Sequence, residues 1–273
     1  AKSAVGLHPD CRTERLIGYR AMMDSKKRPN VLRRSYIGVP GLRPELFPNA
    51  LAVGADMVGL DLEAGNVLED KDKARKNVVA LFEKTQADDD IKRYVRINSL
   101  REAFGFADVQ AILATDTPPP VLMLPKVGTP EEVIWLDNLL TERGHQCRLY
   151  VIIETIDGLE AATAIGRCSP RIDALFFGGH DMSAELRCKN AWQPLLHARS
   201  HLVLAAASAG LDVIDTPFSY SEDLDELKCE AVLARELGFT GKGAIHPRQI
   251  PILNEVFTRD KAAIKSNSVR WYC

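Results

Sequence analysis

The chain has 273 residues, 46% hydrophobic and 26% charged, with a formal net charge of −2, an ordinary soluble balance with no basic footprint for nucleic acid. No stretch approaches the roughly 18 uninterrupted apolar residues that a membrane span needs, and the opening AKSAVGLHPDCRTERL lacks the apolar segment of a secretory signal. A cytoplasmic protein is expected, long enough for one large α/β barrel or two small domains.

Residues 1–33 carry an excess of basic charge, including Arg12, Arg15, Arg20, Lys26, Lys27, Arg28 and Arg33. They read as a solvated N-terminal extension with one short helix over Glu14–Met23. From Arg34 the chain alternates between short apolar runs and amphipathic stretches. The predicted strands are Ser35–Val39, Met57–Leu62, Arg93–Ile97, Val121–Leu124, Leu149–Ile153, Ala174–Phe177, Leu211–Ile214 and Gly243–Ile245. They are mostly apolar throughout, as strands covered on both faces of a parallel sheet must be. Helices are predicted over Lys71–Lys84, Glu131–Arg143 behind Pro130, Gly158–Ile165, Pro194–Ala209, Asp223–Leu237 and Ile250–Phe257. Gly210 and Gly238 supply two of the stops. Eight β–α units over residues 34–257 predict a (β/α)8 TIM barrel, followed by a truncated tail over 258–273. An open doubly wound sheet is disfavoured, because the first turn reads GVPGLRPE rather than GxGxxG. The six cysteines are widely and irregularly spaced, with no CxxC, which argues against structural zinc or a disulfide framework.

Active sites of such barrels form at the C-terminal strand ends. Those ends carry Asp61 and Glu63, Arg96 and Asn98, Lys126, Glu154, Asp181, Asp215 and His246. Glu154 and Asp181 can each give a carboxylate oxygen to Mg²⁺, which leaves positions open for water and a chelating acid. Arg96 offers a planar fork for a carboxylate. The same arginine also suits a structural ion pair with Asp61 or Glu63, and the residues alone leave both readings open. Asp61 and Glu63 share one face of a continuing strand. They either orient Arg96 or a metal-bound water, or form salt bridges to Lys71 or Arg75. Lys126 reads as solvated or paired, His246 as a hydrogen-bonded structural group, and Lys242 as a phosphate contact or a solvated turn residue. His180, His197 and His201 show no metal-binding spacing.

Eight segments extend this reading: RRSYIGVPGLRPE (33–45), DMVGLDLEAGNVLEDKDKAR (56–75), VRIN (95–98), VLMLPKV (121–127), IIET (152–155), FFGGHDM (176–182), ARSHLVLAAASAGLDVIDTP (198–217) and LGFTGKGAIHPRQI (237–250). In type and order they resemble the citrate lyase β-subunit-like branch of the HpcH/HpaI aldolase superfamily. The resemblance implies a (β/α)8 barrel, commonly trimeric, that breaks or forms C–C bonds in 3-hydroxyacyl-CoA thioesters such as citryl-, malyl- and citramalyl-CoA. It implies Arg96 as ligand of the substrate carboxylate, Glu154 as a Mg²⁺ ligand that also lies against substrate, and Asp181 as the second Mg²⁺ ligand. Its partners would be an acyl-CoA or a 2-keto acid, with no nucleic acid and no membrane.

The implied reaction is a Mg²⁺-dependent retro-Claisen cleavage, with citramalyl-CoA giving pyruvate and acetyl-CoA as the first substrate. Asp61 and Glu63 would hold the water that takes the hydroxyl proton. Two departures stand out. The family usually has DLED where this chain has Asp61-Leu62-Glu63-Ala64, which affects the surroundings of Lys71 and Arg75. Longer members carry a C-terminal lid that gives an acidic residue to a neighbouring subunit. Residues 258–273 are too few for it, and Asp260 is not matched to that role. The departures keep rivals open: a class II pyruvate aldolase on free hydroxy-keto acids, or a non-catalytic or partner-dependent subunit.

Overall fold

Segments such as Val121–Leu124 and Arg148–Ile153 become strands because nearly every position can be covered, by the barrel interior on one face and by helices on the other. The computed structural model describes residues 31–64, 67–84, 90–220 and 222–258. All eight predicted strands form: β1 Ser35–Pro40, β2 Met57–Asp61, β3 Lys92–Arg96, β4 Val121–Leu124, β5 Arg148–Ile153, β6 Ile172–Phe177, β7 Asp212–Asp215 and β8 Gly241–Ala244. They close in sequence order into a barrel, β1 pairing in parallel with β8 through Ser35↔Lys242, Tyr36↔Gly243 and Ile37↔Ala244. The (β/α)8 fold is therefore the observed one. The last strand begins two residues before its predicted start, since Gly241 and Lys242 already pair with Ile214 and Asp215 of β7. A Cβ at Gly241 would stand 2.0 Å from the Arg33 carbonyl oxygen.

Ten helices are present among the described residues: α1 Phe47–Leu51, α2 Lys71–Lys84, α3 Ala103–Ala114, α4 Pro130–Glu142, α5 Ile156–Glu160, α6 Ala162–Arg167, α7 Gly179–Glu185, α8 Trp192–Ala209, α9 Leu224–Leu237 and α10 Ile250–Phe257. The long ones start and stop on side chains visible in the sequence. Thr129 and Glu132 form a reciprocal capping box at α4, and Asp223 caps α9 by accepting the Glu226 N–H at 2.9 Å. Gly210 (φ 66°) and Gly238 (φ 118°) end α8 and α9 in the left-handed conformation.

Three helices were not expected from the sequence. AFGFADVQAILA, which forms α3, is apolar on nearly every side and so shows no 3.6-residue stripe. The other two, α1 and α7, are too short to display a period. The single helix expected over Gly158–Ile165 is instead the pair α5 and α6, broken at Ala161. The expected helix over Glu14–Met23 and the tail with Asp260 lie outside the described residues.

The strand wall separates two cores. Outside it, Leu60, Leu122, Leu175, Leu202 and Ile250 belong to the layer between strands and helices. Inside it, Met57, Tyr94, Met123, Tyr150, Ile152 and Phe176 fill the barrel, with Tyr36 packed against them. At the N-terminal end of the barrel Arg33 closes the floor. Its guanidinium reaches Asp173 at 2.9 Å and Asp212 at 2.7 Å, and it lies over the Tyr150 ring at 5.9 Å.

Candidate functional site

The C-terminal strand ends surround a bowl of about 710 Å³. Alternation along each strand points every second side chain inward, so β2 and β3 deliver Asp61 and Arg96 to its wall, the residues just past β5 and β7 add Glu154 and Thr216, the loop after β4 adds Lys126 and α7 adds Asp181. Five carboxylates (Asp61, Glu63, Glu102, Glu154, Asp181) face three cations (Lys71, Arg96, Lys126) around this lining. With all of them ionised, the bowl carries an excess of two negative charges.

Asp61 and Arg96 sit opposite one another in the β2–β3 register. Arg96 donates from Nε to Asp61 Oδ1 at 2.8 Å and from Nη2 to Asp61 Oδ2, and its Nη1 lies 2.9 Å from Glu63 Oε2. Burial alone would pull the guanidinium down, but Asp61 and Glu63 outweigh it and hold it firmly protonated. Asp61 Oδ1 also accepts the backbone N–H groups of Glu63 and Ala64. Its lone pairs are thus largely committed, and its geometry is that of a group aiming Arg96.

Glu63 bridges cations, with Lys126 Nζ 3.1 Å from its Oε1. Burial pulls the Lys126 ammonium down, but Glu63 outweighs it and the net shift is upward. Lys126 adopts φ 53°, a conformation that costs a non-glycine residue about 1 kcal/mol. The turn aims its backbone N–H at Glu154 Oε1, 2.9 Å away. Glu154 is 5% exposed. Burial first, then the charges of Glu63 and Asp181, push its carboxyl up to about 8.

Carboxylate oxygens of Glu63, Glu154 and Asp181 all lie within 4.8 Å of one another. Three like charges gather so closely only where a cation or protons can neutralise them. The backbone leaves room for the arrangement, since a Cβ at Gly178 would fall 2.2 Å from Glu154 Oε2. The residues therefore fit a divalent metal. Glu154 and Asp181, the expected ligands, lie together, and Glu63, expected in a catalytic role rather than as a ligand, joins them.

The alternatives left open for other charged residues now resolve. Asp61 and Glu63 do both things at once, pairing with Arg96 while facing the bowl. Among the described residues, neither carboxylate forms an ion pair with Lys71 or Arg75. Lys71 instead donates to the carbonyls of Leu62 at 2.7 Å and Glu63 at 2.5 Å and to Asn98 Oδ1 at 2.7 Å, which pins the loop that carries Glu63. Arg75 is held by Asp108 and Asp72. His246 is structural, its Nδ1 accepting the Arg248 N–H at 3.2 Å.

Lys242 corrects both of its expected readings. It is 0% exposed, too deep for a phosphate or for solvent, and it donates to Asp215 Oδ2 at 2.6 Å, Glu230 Oε1 at 2.6 Å and the Thr216 carbonyl at 2.8 Å. Thr216 Oγ1 in turn accepts the N–H of Gly179 at 3.3 Å, the first residue of the helix that bears Asp181. Sequence reasoning missed Lys71, Gly178 and Lys242 as supports of the site. Only Gly178, directly after β6, carried a signal by its place in the sequence.

Residues 34–247 match the profile of the HpcH/HpaI aldolase/citrate lyase family. The chain belongs to that family. An L-malyl-CoA/beta-methylmalyl-CoA lyase from Cereibacter sphaeroides is 32% identical, over 93% of this chain and 87% of its own length. A mitochondrial citramalyl-CoA lyase from Rattus norvegicus is 32% identical over 88% of this chain and 75% of its own. Among solved structures, a citrate lyase beta subunit from M. tuberculosis complexed with oxaloacetate and magnesium superposes with a TM-score of 0.71 at 28% identity, covering 84% of this chain and 98% of that one. Family membership thus agrees with the resemblance read from the eight segments. No helix among the described residues is long and apolar enough to cross a membrane.

Proposed function

We propose that this chain is a Mg²⁺-dependent carbon–carbon lyase that cleaves a 3-hydroxyacyl-CoA thioester into a 2-keto acid and acetyl-CoA, with residues 34–257 as the catalytic body. The observation that carries the reading is the carboxylate trio of Glu63, Glu154 and Asp181 beside an arginine already aimed into the bowl by Asp61. Lyase relatives named for malyl- and citramalyl-CoA support the thioester, and the magnesium and oxaloacetate complex of a related subunit supports the ion and the keto acid.

Glu154 and Asp181 would hold a Mg²⁺ ion, which would supply Lewis-acid polarisation of the hydroxyl that becomes the ketone, worth several kcal/mol. Arg96 binds the carboxylate next to that hydroxyl, and Asp61 fixes the guanidinium plane. Glu63 takes the hydroxyl proton. The C–C bond then breaks with its electron pair moving to the thioester α-carbon, and protonation of that enolate gives acetyl-CoA. Lys71, Asn98 and Lys126 keep Glu63 in place. A homotrimer and a cytoplasmic location follow the family reading.

The test is product detection from a panel of 3-hydroxyacyl-CoA esters and their free acids, with Mg²⁺ and with EDTA. A 2-keto acid should appear from a thioester only when Mg²⁺ is present. Cleavage of the free acids alone assigns the chain to the pyruvate aldolases instead. No product from any of them, with the trio intact, marks a subunit that needs a partner.

A further inference from the structure

Inward-facing glycines of this barrel make room for something. At Gly59 a Cβ would stand 2.1 Å from the Tyr94 ring, at Gly243 2.7 Å from the Tyr36 ring, and at Gly178 2.2 Å from Glu154. Each glycine clears space for a named side chain. Gly38 differs. It faces the bowl and is exposed, and the only atom within 4 Å of a Cβ built there is the Tyr94 hydroxyl at 3.4 Å, an ordinary contact. Among the described residues, nothing else fills that space.

Register places the hollow. Gly38 pairs with Gly59 and Gly59 with Tyr94, whereas Pro40 pairs with Asp61 and Asp61 with Arg96. Gly38 therefore lies one tier, about 6–7 Å, beneath the Asp61–Arg96 pair. The upper tier holds the charges of the site. The lower tier is apolar, with Tyr94, Ile152 and Phe176 in the inner core, and the Tyr94 hydroxyl is spent on the Ile37 carbonyl at 3.2 Å. Among the described residues, a substrate group directed downward meets hydrocarbon and rings and no cation.

Resting on the lyase reading above, we infer that Gly38 is a specificity-determining residue. Its hollow receives the alkyl substituent of the carbon that bears the hydroxyl. The preferred substrates are thus tertiary-alcohol thioesters whose 2-keto acid product carries an alkyl chain, with room beyond a methyl group. Glyoxylate-type products, which have no substituent there, gain nothing from the hollow. A second carboxylate in that position would be buried without a partner, which is costly.

Titration calorimetry of the full chain with Mg²⁺ tests this, using glyoxylate, pyruvate, 2-ketobutyrate and 2-ketovalerate against wild type, Gly38→Ala and Gly38→Val. Wild-type affinity should rise along the series as far as 2-ketobutyrate, by roughly fourfold per methylene buried. Gly38→Val should weaken 2-ketobutyrate at least tenfold and leave glyoxylate within twofold, with Gly38→Ala between. The alanine variant makes no contact closer than 3.4 Å, so it keeps the test open if valine disturbs folding. Equal losses for all four acids, or no loss for any, overturn the role of Gly38 and leave the lyase reading standing. Failure of the wild type to bind any acid removes the lyase reading itself, and this inference with it.

Discussion

Glu154→Gln is expected to abolish the magnesium response and lower turnover by about a thousandfold while raising the melting temperature of the metal-free protein at pH 8. The two effects share one cause. Folding buries the Glu154 carboxyl beside Glu63 and Asp181 and raises it from the usual 4.5 to about 8. A carboxyl raised on folding binds its proton more tightly in the folded state. Its stability is complete below about pH 4.5 and is lost as the pH climbs to about 8, by on the order of 5 kcal/mol. Glutamine keeps the shape, can still accept the Lys126 N–H that Glu154 Oε1 accepts at 2.9 Å, and carries no charge. The metal-free variant should therefore lose far less stability between pH 5 and pH 8 than wild type, visible in melting curves recorded with chelator. Added Mg²⁺ should restore wild type at pH 8 and do nothing for the variant. Several kcal/mol of lost Lewis-acid stabilisation corresponds to three or more decades in rate. A variant that still turns over and still responds to Mg²⁺ would remove Glu154 from the metal site.

Lys242→Met should be the most destabilising single change in the barrel, by about 3–5 kcal/mol, or roughly 10 °C in melting temperature. Lys242 and Asp215 are both 0% exposed. Burial would push the Asp215 carboxyl up, but Lys242 and then Arg199 more than reverse this and hold it low. After substitution Asp215 retains only Arg199, whose Nε lies 3.0 Å away, and Glu230 loses its lysine. The Thr216 carbonyl also loses its donor, so the helix bearing Asp181 is less firmly held. Calorimetric melting measures the first effect and Mg²⁺ titration the second. An unchanged melting temperature would mean that the network is dispensable.

The fold was legible because strands buried on both faces cannot hide in a sequence. Val121–Leu124 has no polar position, and a short apolar run between polar ends has few other uses. Arg96, Glu154 and Asp181 were legible for the complementary reason, as charges placed where such runs stop. Asp61 and Glu63 were readable as partners of Arg96, but the buried lysines that support the site were not. Lys242 lies between two glycines and looks like a turn, yet those glycines are there because the Arg33 carbonyl and the Tyr36 ring occupy the space of their side chains. Lys71 opens a helix rich in lysine and reads as a salt-bridge partner of Asp61 or Glu63, yet its ammonium protons go to two carbonyls and Asn98. Burial of a long charged side chain depends on neighbours distant in sequence, and local pattern carries no record of them.

The wall of strands between the two cores also bears on how this molecule can change over generations. Residues under the bowl, such as Tyr36, Tyr94 and Ile152, pack against one another and not against the helices, while helix-facing residues such as Leu60 and Leu122 form a cluster of their own. Substitutions made one in each layer should therefore sum in stability, whereas pairs within the small inner layer should not, a difference that double-mutant cycles can measure. A lineage could reshape the floor of its site, and hence the acids it accepts, while the shell that keeps the chain folded goes on drifting independently.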